Sequence, residues 1–376
     1  MTRLRPIVPF AAFVALAIAV QCGTRLTGSE FRLTQLTMSL YYALVVLGLC
    51  LLMGYAGQVS LGHGAFFAAG GYTTAVLTTH DFSRHPGGPW GDWLQQAHVF
   101  VSHPDLYGNT VLTVAPWAAF IAAMLVTLVL ASIIGYPALR LRGHYLAMAT
   151  LGFGLIVSKM LLGSTTTGAA DGINGVPEWR LPFGLVVSGK SPVRVQNYYL
   201  ACCLVLLALV LLQNLVRSRV GRALLAVRER EVAANALGIN TAAYKLKVFV
   251  LSALLAAVAG VFFTHYTGGI GPSEAGALKS IRYVALAAAG GMANLWGVTG
   301  TSLILNYLSL RGAFGSYDNA VFGAILIMII SLAPDGPLKP LGARLARLVP
   351  GRPREKAGAL PGTADCRERS GSDGAA

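Results

Sequence analysis

The stretch "MSLYYALVVLGLCLLMGYAGQVSLGHGAFFAAGGYTTAVL", Met38 to Leu77, decides the fold of this chain. It has no charged residue, and its two apolar runs, part of 37–53 and 61–79, are joined by a short link at 54–60. A hydrocarbon core about 30 Å thick requires about 20 mostly apolar helical residues, which is roughly the length of each run. Because backbone groups in lipid must be paired within a helix, the stretch predicts two membrane-spanning helices joined by a tight link.

The composition extends this prediction to the whole chain. Of its 376 residues 55% are hydrophobic and only 12% are charged, which excludes an ordinary soluble enzyme and a disordered protein. The basic residues that give the net charge of +14 lie between apolar runs. This distribution matches binding to anionic lipid headgroups better than binding to nucleic acid. We therefore expect an integral membrane protein in contact with membrane lipid, without a nucleic-acid partner and without a cofactor.

Apolar stretches of spanning length recur along the chain. Ten candidates lie at 7–22, 37–53, 61–79, 112–135, 144–163, 197–215, 247–267, 279–296, 297–311 and 319–334. The pair on either side of Trp296 could also form one broken helix. Cytoplasmic loops carry an excess of lysine and arginine, and with the N-terminus inside, the inner segments hold nineteen of the 29 basic residues. The sequence thus predicts an all-α, polytopic membrane protein of about ten transmembrane helices with both termini cytoplasmic.

The positions of the acidic residues bear on the energy source. All fifteen carboxylates fall in predicted loops, tails or span ends. A proton-coupled carrier usually needs an ionisable group within the bilayer, so this class is disfavoured. A sodium-coupled carrier can use backbone carbonyls at broken helices and stays open as an alternative. The energy of an active transporter with this sequence is expected to enter through a partner.

The segment "GLVVSGKS", Gly184–Ser191, fits the written pattern of a phosphate-binding loop. A working loop needs a strand that ends at the first glycine and a helix that begins at the lysine. Here "RLPF" precedes Gly184, Pro192 follows Ser191, and the predicted topology puts the segment outside. We interpret the match as a coincidence and predict that this chain is not an enzyme and hydrolyses no ATP.

The long inner loop "RSRVGRALLAVREREVAANALGINTAAYKLK", 217–247, is basic and helix-prone. Gly238 suits a left-handed helix end, and Asn240 suits the start of the next helix. Leu225, Val232 and Ala236 would share one side of a helix, at i, i+7 and i+11. The loop predicts a short cytoplasmic helix that docks into a groove of another protein or, alternatively, lies on the lipid headgroups.

Within this loop "EVAANALGIN", 231–240, resembles the coupling motif of ABC importer permeases, the segment that contacts the ATPase subunit. Four longer motifs resemble the branched-chain amino-acid ABC importer permeases more closely, in the same order, and the likeness runs through about 35–335. They are "GYAGQVSLGHGAFFAAGGYTTAVL" (54–77), "LRLRGHYLAMATLGFGLIV" (139–157), "DGINGVP" (171–177) and "GRALLAVREREVAANALGINTAAYKLKVFVLSALLAAVAGVFF" (221–263).

This resemblance implies a multi-pass subunit of the bacterial inner (plasma) membrane with the fold of the ribose and cobalamin importers. Its implied partners are two ABC ATPase subunits, a second homologous permease and an extracytoplasmic or periplasmic substrate-binding protein. The implied function is ATP-driven import of branched-chain amino acids. The alternatives are an ABC permease for urea, amides or other amino acids, or a self-contained channel or sodium-coupled carrier for a small neutral solute. The residues it implies for ATPase coupling are Glu231, Ala233, Ala234, Gly238, Ile239 and Asn240.

The implied organisation has three parts. Residues 1–36 hold the first span and an outer loop, 37–335 form the permease domain, and 336–376 form a disordered basic tail in the cytoplasm. Within the permease domain, 80–111 and 164–196 are outer loops, and 216–246 is the cytoplasmic coupling loop.

Polar residues near the opening stretch are candidates for the translocation path. Gln58, Ser60 and His63 lie near its cytoplasmic side, among glycines that we expect to serve close helix packing. In "DGINGVP", turn residues indicate a fixed loop at the outer mouth, where Asp171 or Asn174 would face the binding protein. The loop 80–107 contains histidines and aspartates, which are residue types that bind metal ions. Proline and glycine dominate the loop and no ordered helix is expected to hold these side chains in place, so we predict no metal site.

Overall fold

Helices account for most of the chain that the structure describes. This computed structural model describes residues 8–81, 100–104, 110–139, 141, 144–312, 317, 320, 322–324 and 327–328. Within these ranges we number the α-helices in chain order: α1 Val8–Leu26, α2 Arg32–Leu49, α3 His63–Thr79, α4 Pro116–Ala138, α5 His144–Gly163, α6 Arg194–Arg217, α7 Arg219–Glu229, α8 Glu231–Ala236, α9 Thr241–Thr267, α10 Ala277–Ala289 and α11 Leu295–Leu310.

Short antiparallel strand pairs lie in some of the connections between these helices. The all-α prediction did not include them. The pairs are β1 Phe100–Pro104 with β2 Thr110–Val114, β3 Ile173–Asn174 with β6 Gly269–Ile270, and β4 Trp179–Arg180 with β5 Val186–Val187. Strand β2 occupies the start of the candidate span 112–135, so α4 begins only at Pro116. Proline is favoured in the first helical turn because the N–H that it lacks has no partner there.

Six helices of the described chain are long and apolar enough to cross a membrane, judged by length and composition. These candidate spans are Pro9–Leu26, Arg32–Tyr55, Pro116–Ala138, His144–Gly163, Ser191–Arg217 and Thr241–Thr267. Helices α3, α10 and α11 are shorter, at 17, 13 and 16 residues. The candidate at 319–334 lies largely outside the described residues. The protein is therefore a mostly helical, multi-pass membrane protein.

The break between α10 and α11 differs from the prediction. Trp296 was expected to mark it, but α10 ends at Ala289 and a turn at 290–293 precedes α11. Gly291 has φ +85°, a conformation that side chains with a Cβ rarely adopt. The Asn294 side chain then accepts a hydrogen bond from the Gly297 N–H at 3.1 Å and caps α11. Gly291 and the capping Asn294 thus set the break before the tryptophan.

Helix α2 is the centre of the bundle. Its residues from Ser39 to Leu49 are all buried, and it packs against α6, α9 and α11. The outer helices instead expose large apolar side chains, such as Leu125 and Val129 on α4 and Ile156 on α5. Apolar surface of this kind is what lipid tails accept, so the pattern is that of a bundle solvated by lipid.

Glycines bring α3 and α9 into close contact. A Cβ at Gly70 would come within 2.5 Å of the Ala257 carbonyl oxygen, and one at Gly260 would overlap the Phe67 carbonyl. Association of helices in lipid depends on van der Waals packing, which small residues permit by letting backbones approach. The predicted packing role of the glycines in the opening stretch is confirmed here.

Candidate functional site

The predicted coupling segment forms its own short helix. Arg230 has extended backbone angles, φ −149° and ψ 96°, and it separates α7 from α8. The expectation that Leu225 shares one helix side with Val232 and Ala236 is therefore wrong, because the helix is interrupted between them. On and beside α8, Val232 and Leu237 are 76% and 81% exposed. The segment presents apolar side chains outward without a covering element in the described chain.

The end of α8 is fixed by backbone hydrogen bonds. The Ile239 N–H donates to the Ala234 carbonyl at 3.1 Å, and the Gly238 N–H donates to Asn235 at 2.9 Å. Gly238 has φ +81°, as its sequence position predicts. This pair of bonds is the Schellman arrangement, which satisfies carbonyls that a helix end would leave free. The point at which α8 ends is thus set by its own sequence.

Asn240 and Glu231 connect α8 to the membrane helix α9. The Asn240 side chain accepts from the Ala243 N–H at 3.1 Å and caps α9, as predicted. Glu231 Oε1 lies 2.7 Å from Lys245 Nζ and accepts a hydrogen bond from the Thr241 hydroxyl at 3.3 Å. The Lys245 side chain is only 14% exposed. Water and salt therefore screen the attraction in this ion pair less than in one on an open surface.

Two cavities border the Glu231–Lys245 ion pair. The larger, about 600 Å³, is lined by Tyr136, Leu139, Glu231, Asn240, Ala242, Ala243, Lys245 and Leu246. The smaller, about 330 Å³, includes Gln58, His144, Arg228, Glu231 and Lys245 in its lining. The structure therefore brings one path candidate, Gln58, next to the predicted coupling residue Glu231. Of the other coupling residues, Ala234 is buried and Ala233 is exposed.

A contact that was not predicted from the sequence joins α7, the helix before α8, to the centre of the bundle. The Arg228 guanidinium on α7 donates to the carbonyl of Gly54. Gly54 belongs to the π-helix Cys50–Tyr55 that continues α2, a rare form frequently found at functional sites. The same π-helix contacts the α10–α11 turn, because the Tyr55 hydroxyl donates to the Ala293 carbonyl at 2.6 Å. The sequence offers no signal that distinguishes Arg228 from the other arginines of its loop.

The remaining path candidates are enclosed by protein. His63 Nε2 is 2.7 Å from the Ser252 hydroxyl oxygen, and its ring packs edge-to-face with the rings of Phe66 and Phe249. Ser60 is fully buried, whereas Gln58 is 5% exposed at the edge of the smaller cavity. Gln58 thus borders this cavity, and a role of each of the three residues in the path stays a prediction.

The other end of the bundle carries the predicted mouth loop. Asn174 pairs through β3 with Gly269 of β6, and His265 Nδ1 lies 2.9 Å from the Pro177 carbonyl oxygen. These contacts fix the loop to the end of α9, and they leave Asp171 and Asn174 exposed. Whether either one faces a binding protein stays a prediction.

The phosphate-loop match lies in a β-hairpin. Strand β5 pairs with β4, but Gly184 ends a 3₁₀ turn rather than a strand, and the 3₁₀ turn Ser191–Val193 after Lys190 leads into α6. Lys190 Nζ lies 2.6 Å from Glu178 Oε1, and this hydrogen bond holds the pKa of Glu178 below its ordinary value. The strand-to-helix geometry of a phosphate-binding loop is absent from this segment, which agrees with the interpretation of the match as a coincidence.

One carboxylate of a predicted loop lies deeper in the bundle than the sequence indicates. Glu274, which was placed in a loop, is 8% exposed and contacts Tyr42 near the middle of α2. Lys279 and Arg282, which were assigned to an outer span end, begin α10 beside it. The chain after β6 turns back between the helices, so α10 starts inside the bundle. Apolar periodicity cannot show such a turn.

Two predictions concern residues that the structure does not describe. His85 and His98 of the outer loop lie within 82–99, so the prediction about a metal site there is untested. The predicted tail 336–376 also lies outside the described residues.

Comparison with known proteins identifies the family. The family described as branched-chain amino acid transport system / permease component matches residues 31–330. The chain is 30% identical over 323 residues to the high-affinity branched-chain amino acid transport system permease protein LivM of Salmonella typhimurium. The aligned region covers 80% of this chain and 68% of that protein. It is 26% identical over 314 residues to LivH of Escherichia coli, with 80% and 92% covered, and 26% identical over 315 residues to BraD of Pseudomonas aeruginosa, with 81% and 93% covered.

No solved structure matches the chain. The relatives are named as permeases of transport systems, and such permeases are transport components and not enzymes. The apolar spanning helices are what a permease needs, and the family match covers the described helices from α2 to α11. The chain therefore belongs to the family of permease components of branched-chain amino acid transport systems.

Proposed function

We propose that this chain is the transmembrane permease subunit of an ATP-driven importer of branched-chain amino acids in a bacterial inner membrane. It takes substrate from an extracytoplasmic binding protein and works with ABC ATPase subunits and a second, related permease. The observation that carries the proposal is the isolated helix α8, which ends in a fixed glycine turn and presents Val232 and Leu237 outward.

Helix α8 has the properties of a force-receiving element. Its apolar side chains suit a groove on an ATPase subunit, since an amphipathic helix binds such a groove through a few anchors. Glu231, Thr241 and Lys245 connect it rigidly to α9, and Arg228 connects the preceding helix to Gly54. A displacement of α8 would thus be transmitted to α9 and to the end of α2. The predicted coupling residues Ala233, Ala234, Gly238, Ile239 and Asn240 form the backbone and caps of this element.

The proposed topology has ten spans with both termini in the cytoplasm. Segments that the charge distribution puts inside contact one another, as Arg228 does Gly54 and Tyr55 does Ala293. Segments that it puts outside also meet, as His265 does Pro177. In this scheme 1–36 is a peripheral first span, 37–335 the permease domain and 336–376 a cytoplasmic tail. Gln58, Ser60 and His63 then lie near the inner end of the path, and Asp171 and Asn174 at its outer mouth.

Reconstitution tests the proposed function. We expect the complete complex in vesicles to import a radiolabelled branched-chain amino acid only with ATP and loaded binding protein. Glu231→Lys and Gly238→Val are expected to abolish this uptake, because the first breaks the ion pair with Lys245 and the second strains a left-handed backbone position. Both variants leave the affinity of the binding protein for substrate unchanged.

The matched control is Glu229→Lys, an equal charge change at an exposed position two residues before Glu231. Its uptake is expected to equal that of the unmodified complex. Normal uptake by both Glu231→Lys and Gly238→Val would contradict the coupling role. Transport by this chain alone in vesicles free of ATP would overturn the proposal and favour a self-contained carrier.

A further inference from the structure

Glu274 lies deep within the bundle. Its carboxylate accepts hydrogen bonds from the Tyr42 hydroxyl at 3.2 Å and from Lys279 Nζ at 2.9 Å. Tyr42 is ten residues after Arg32 and thirteen before Tyr55, the two ends of its candidate span. At about 1.5 Å per helical residue, these distances are about 15 and 20 Å. The ion pair therefore lies near the midpoint of the proposed membrane.

An ion pair at this depth needs an explanation. Charged groups within the bilayer are costly, and such residues generally face the interior of a bundle or a water-filled cavity. A buried pair adds little net stability compared with apolar residues of the same volume. A purely structural role for Glu274 and Lys279 is therefore energetically weak.

The pair is not sealed off by apolar side chains. The Lys279 side chain is 29% exposed and lies over the Tyr42 ring, 4.7 Å from its centroid. A cavity of about 20 Å³, room for about one water molecule, opens beside it. Its lining is mostly polar and consists of Tyr42, Lys279, Arg282, Tyr283, Asn306, Ser309 and Leu310. The Tyr283 hydroxyl in this wall is buried and has no hydrogen-bond partner among the described residues.

The chemistry of the site matches the head group of an amino acid. A zwitterion carries an ammonium that Glu274 can accept and a carboxylate to which Lys279 can donate, while Tyr42 can bond either one. The substrate would exchange partners with an existing ion pair, so binding adds no net charge to the site. Such an exchange gives weak binding, and a transport path requires that the substrate can also leave.

The site is also connected to the elements that the proposed function sets in motion. In this conformation the cavity is too small for an amino acid, so the site is closed. Lys279 lies in the first turn of α10 and Glu274 in the 3₁₀ turn Pro272–Ala275 just before it, while the turn after α10 contacts the π-helix through Ala293 and Tyr55. The Arg228 contact with Gly54 reaches the same π-helix. A shift of α7 and α8 can therefore open the site by moving α10.

We propose that Glu274, Lys279 and Tyr42 form a mid-membrane transit site for the zwitterionic head group of an amino acid. The inference rests on the proposed function and adds to it the residues that contact substrate. Their role is to replace water around the ammonium and carboxylate groups as these cross the bilayer.

The test uses the reconstituted complete complex and measures two quantities, substrate molecules imported and ATP molecules hydrolysed. The central variant is Glu274→Gln with Lys279→Gln in the same chain, because it removes both charges and leaves neither one unpaired in the bundle. We expect its import per ATP to fall at least about tenfold, the scale of one lost charge-assisted hydrogen bond. ATP hydrolysis stimulated by loaded binding protein is expected to stay within about twofold of that of the unmodified complex, since α7 and α8 are unchanged in the variant.

Two further variants complete the test. Lys279→Arg keeps the charge and is expected to retain most of the import per ATP. Lys159→Gln removes a lysine near the end of α5, where the side chain is exposed, and is expected to leave both quantities unchanged.

An unchanged import per ATP in the double variant would overturn the transit site. An equal loss of import and hydrolysis would also overturn it, because that is the result of a structural role only. Failure of the proposed function is a different result, since the unmodified complex would then show no ATP-driven import at all.

Discussion

At the residue scale, single glycines set how closely the helices approach. Gly260 of α9 faces the backbone of Phe67 on α3 so closely that a Cβ has no space, whereas Gly152 of α5 has no atom within 4 Å of that position. The obstacle at Gly260 is a backbone carbonyl, which cannot rotate away as a flexible side chain can. The same substitution should therefore have opposite consequences at the two glycines.

We predict that Gly260→Ala separates α3 from α9 and destabilises the protein by about 1–3 kcal/mol, the usual cost of overpacking. In detergent, the apparent unfolding temperature should fall by at least about 3 °C. Gly152→Ala is the matched control and should not lower it, since alanine favours a helix over glycine. Equal unfolding temperatures for the two variants would show that α3 and α9 do not pack as described.

Local backbone chemistry was predictable at this scale, and non-local packing was not. Gly238 and Asn240 adopt the predicted helix end and helix cap, because both depend on the residue itself and its neighbours. Glu274 could not be placed from the sequence, because its burial depends on Tyr42, which is 232 positions away. Arg228 was missed for the same reason, since its partner Gly54 is 174 positions away.

At the element scale, the π-helix Cys50–Tyr55 joins two parts of the molecule. Arg228 contacts it from α7, and the α10–α11 turn contacts it through the Cys50 thiol, 3.1 Å from the Met292 carbonyl oxygen. A π-helix forms i→i+5 bonds, as between the Ala56 N–H and the Leu51 carbonyl, and leaves neighbouring carbonyls free for other donors. This local geometry is what makes the Gly54 carbonyl available to Arg228.

We predict that Arg228→Gln weakens the coupling between α7 and α2. A hydrogen bond to a charged group contributes about 1.5–3 kcal/mol, and Arg228 is an exposed residue, so solvent screening favours the lower end and a fall of about tenfold in ATP-driven uptake. Arg222→Gln removes the same charge from the same helix, at an exposed position without a side-chain hydrogen bond in the described chain, and should have no effect. Comparable uptake by the two variants, measured in the reconstituted complex, would contradict the role of Arg228.

Spanning helices were predictable at this scale where their apolar runs are continuous. Candidates 37–53, 144–163 and 247–267 all lie within or closely match observed helices. The segment from β6 to α11 was not predictable, because α10 alone is too short to cross the membrane and this proposed crossing also includes the 3₁₀ turn before it. Hydropathy responds to composition, and this segment is apolar whether or not it is one helix.

At the scale of the whole molecule, the two ends of the bundle differ in chemistry. One end carries α7, α8 and the start of α9, with seven basic residues between 216 and 247. The other carries the strand pairs β3–β6 and β4–β5 and the loop that contains Asp171. A positive end retained in the cytoplasm would present α8 to an ATPase and the mouth loop to a binding protein.

This orientation gives a prediction about chemical access. In a variant without native cysteines that still imports substrate, single cysteines replace Thr166, Ala236 or Arg311, all at exposed positions. A membrane-impermeant maleimide should label Thr166→Cys and Arg311→Cys in intact spheroplasts, because the proposed topology puts both at the outer ends of their helices. It should label Ala236→Cys only after lysis, because the proposed topology puts α8 in the cytoplasm. The reverse pattern would invert the topology, and labelling of Arg311→Cys only after lysis would show that the number of spans before it differs from nine. Since an impermeant reagent reaches a thiol only from its own side, each result assigns one end of the bundle and decides whether α8 can meet an ATPase.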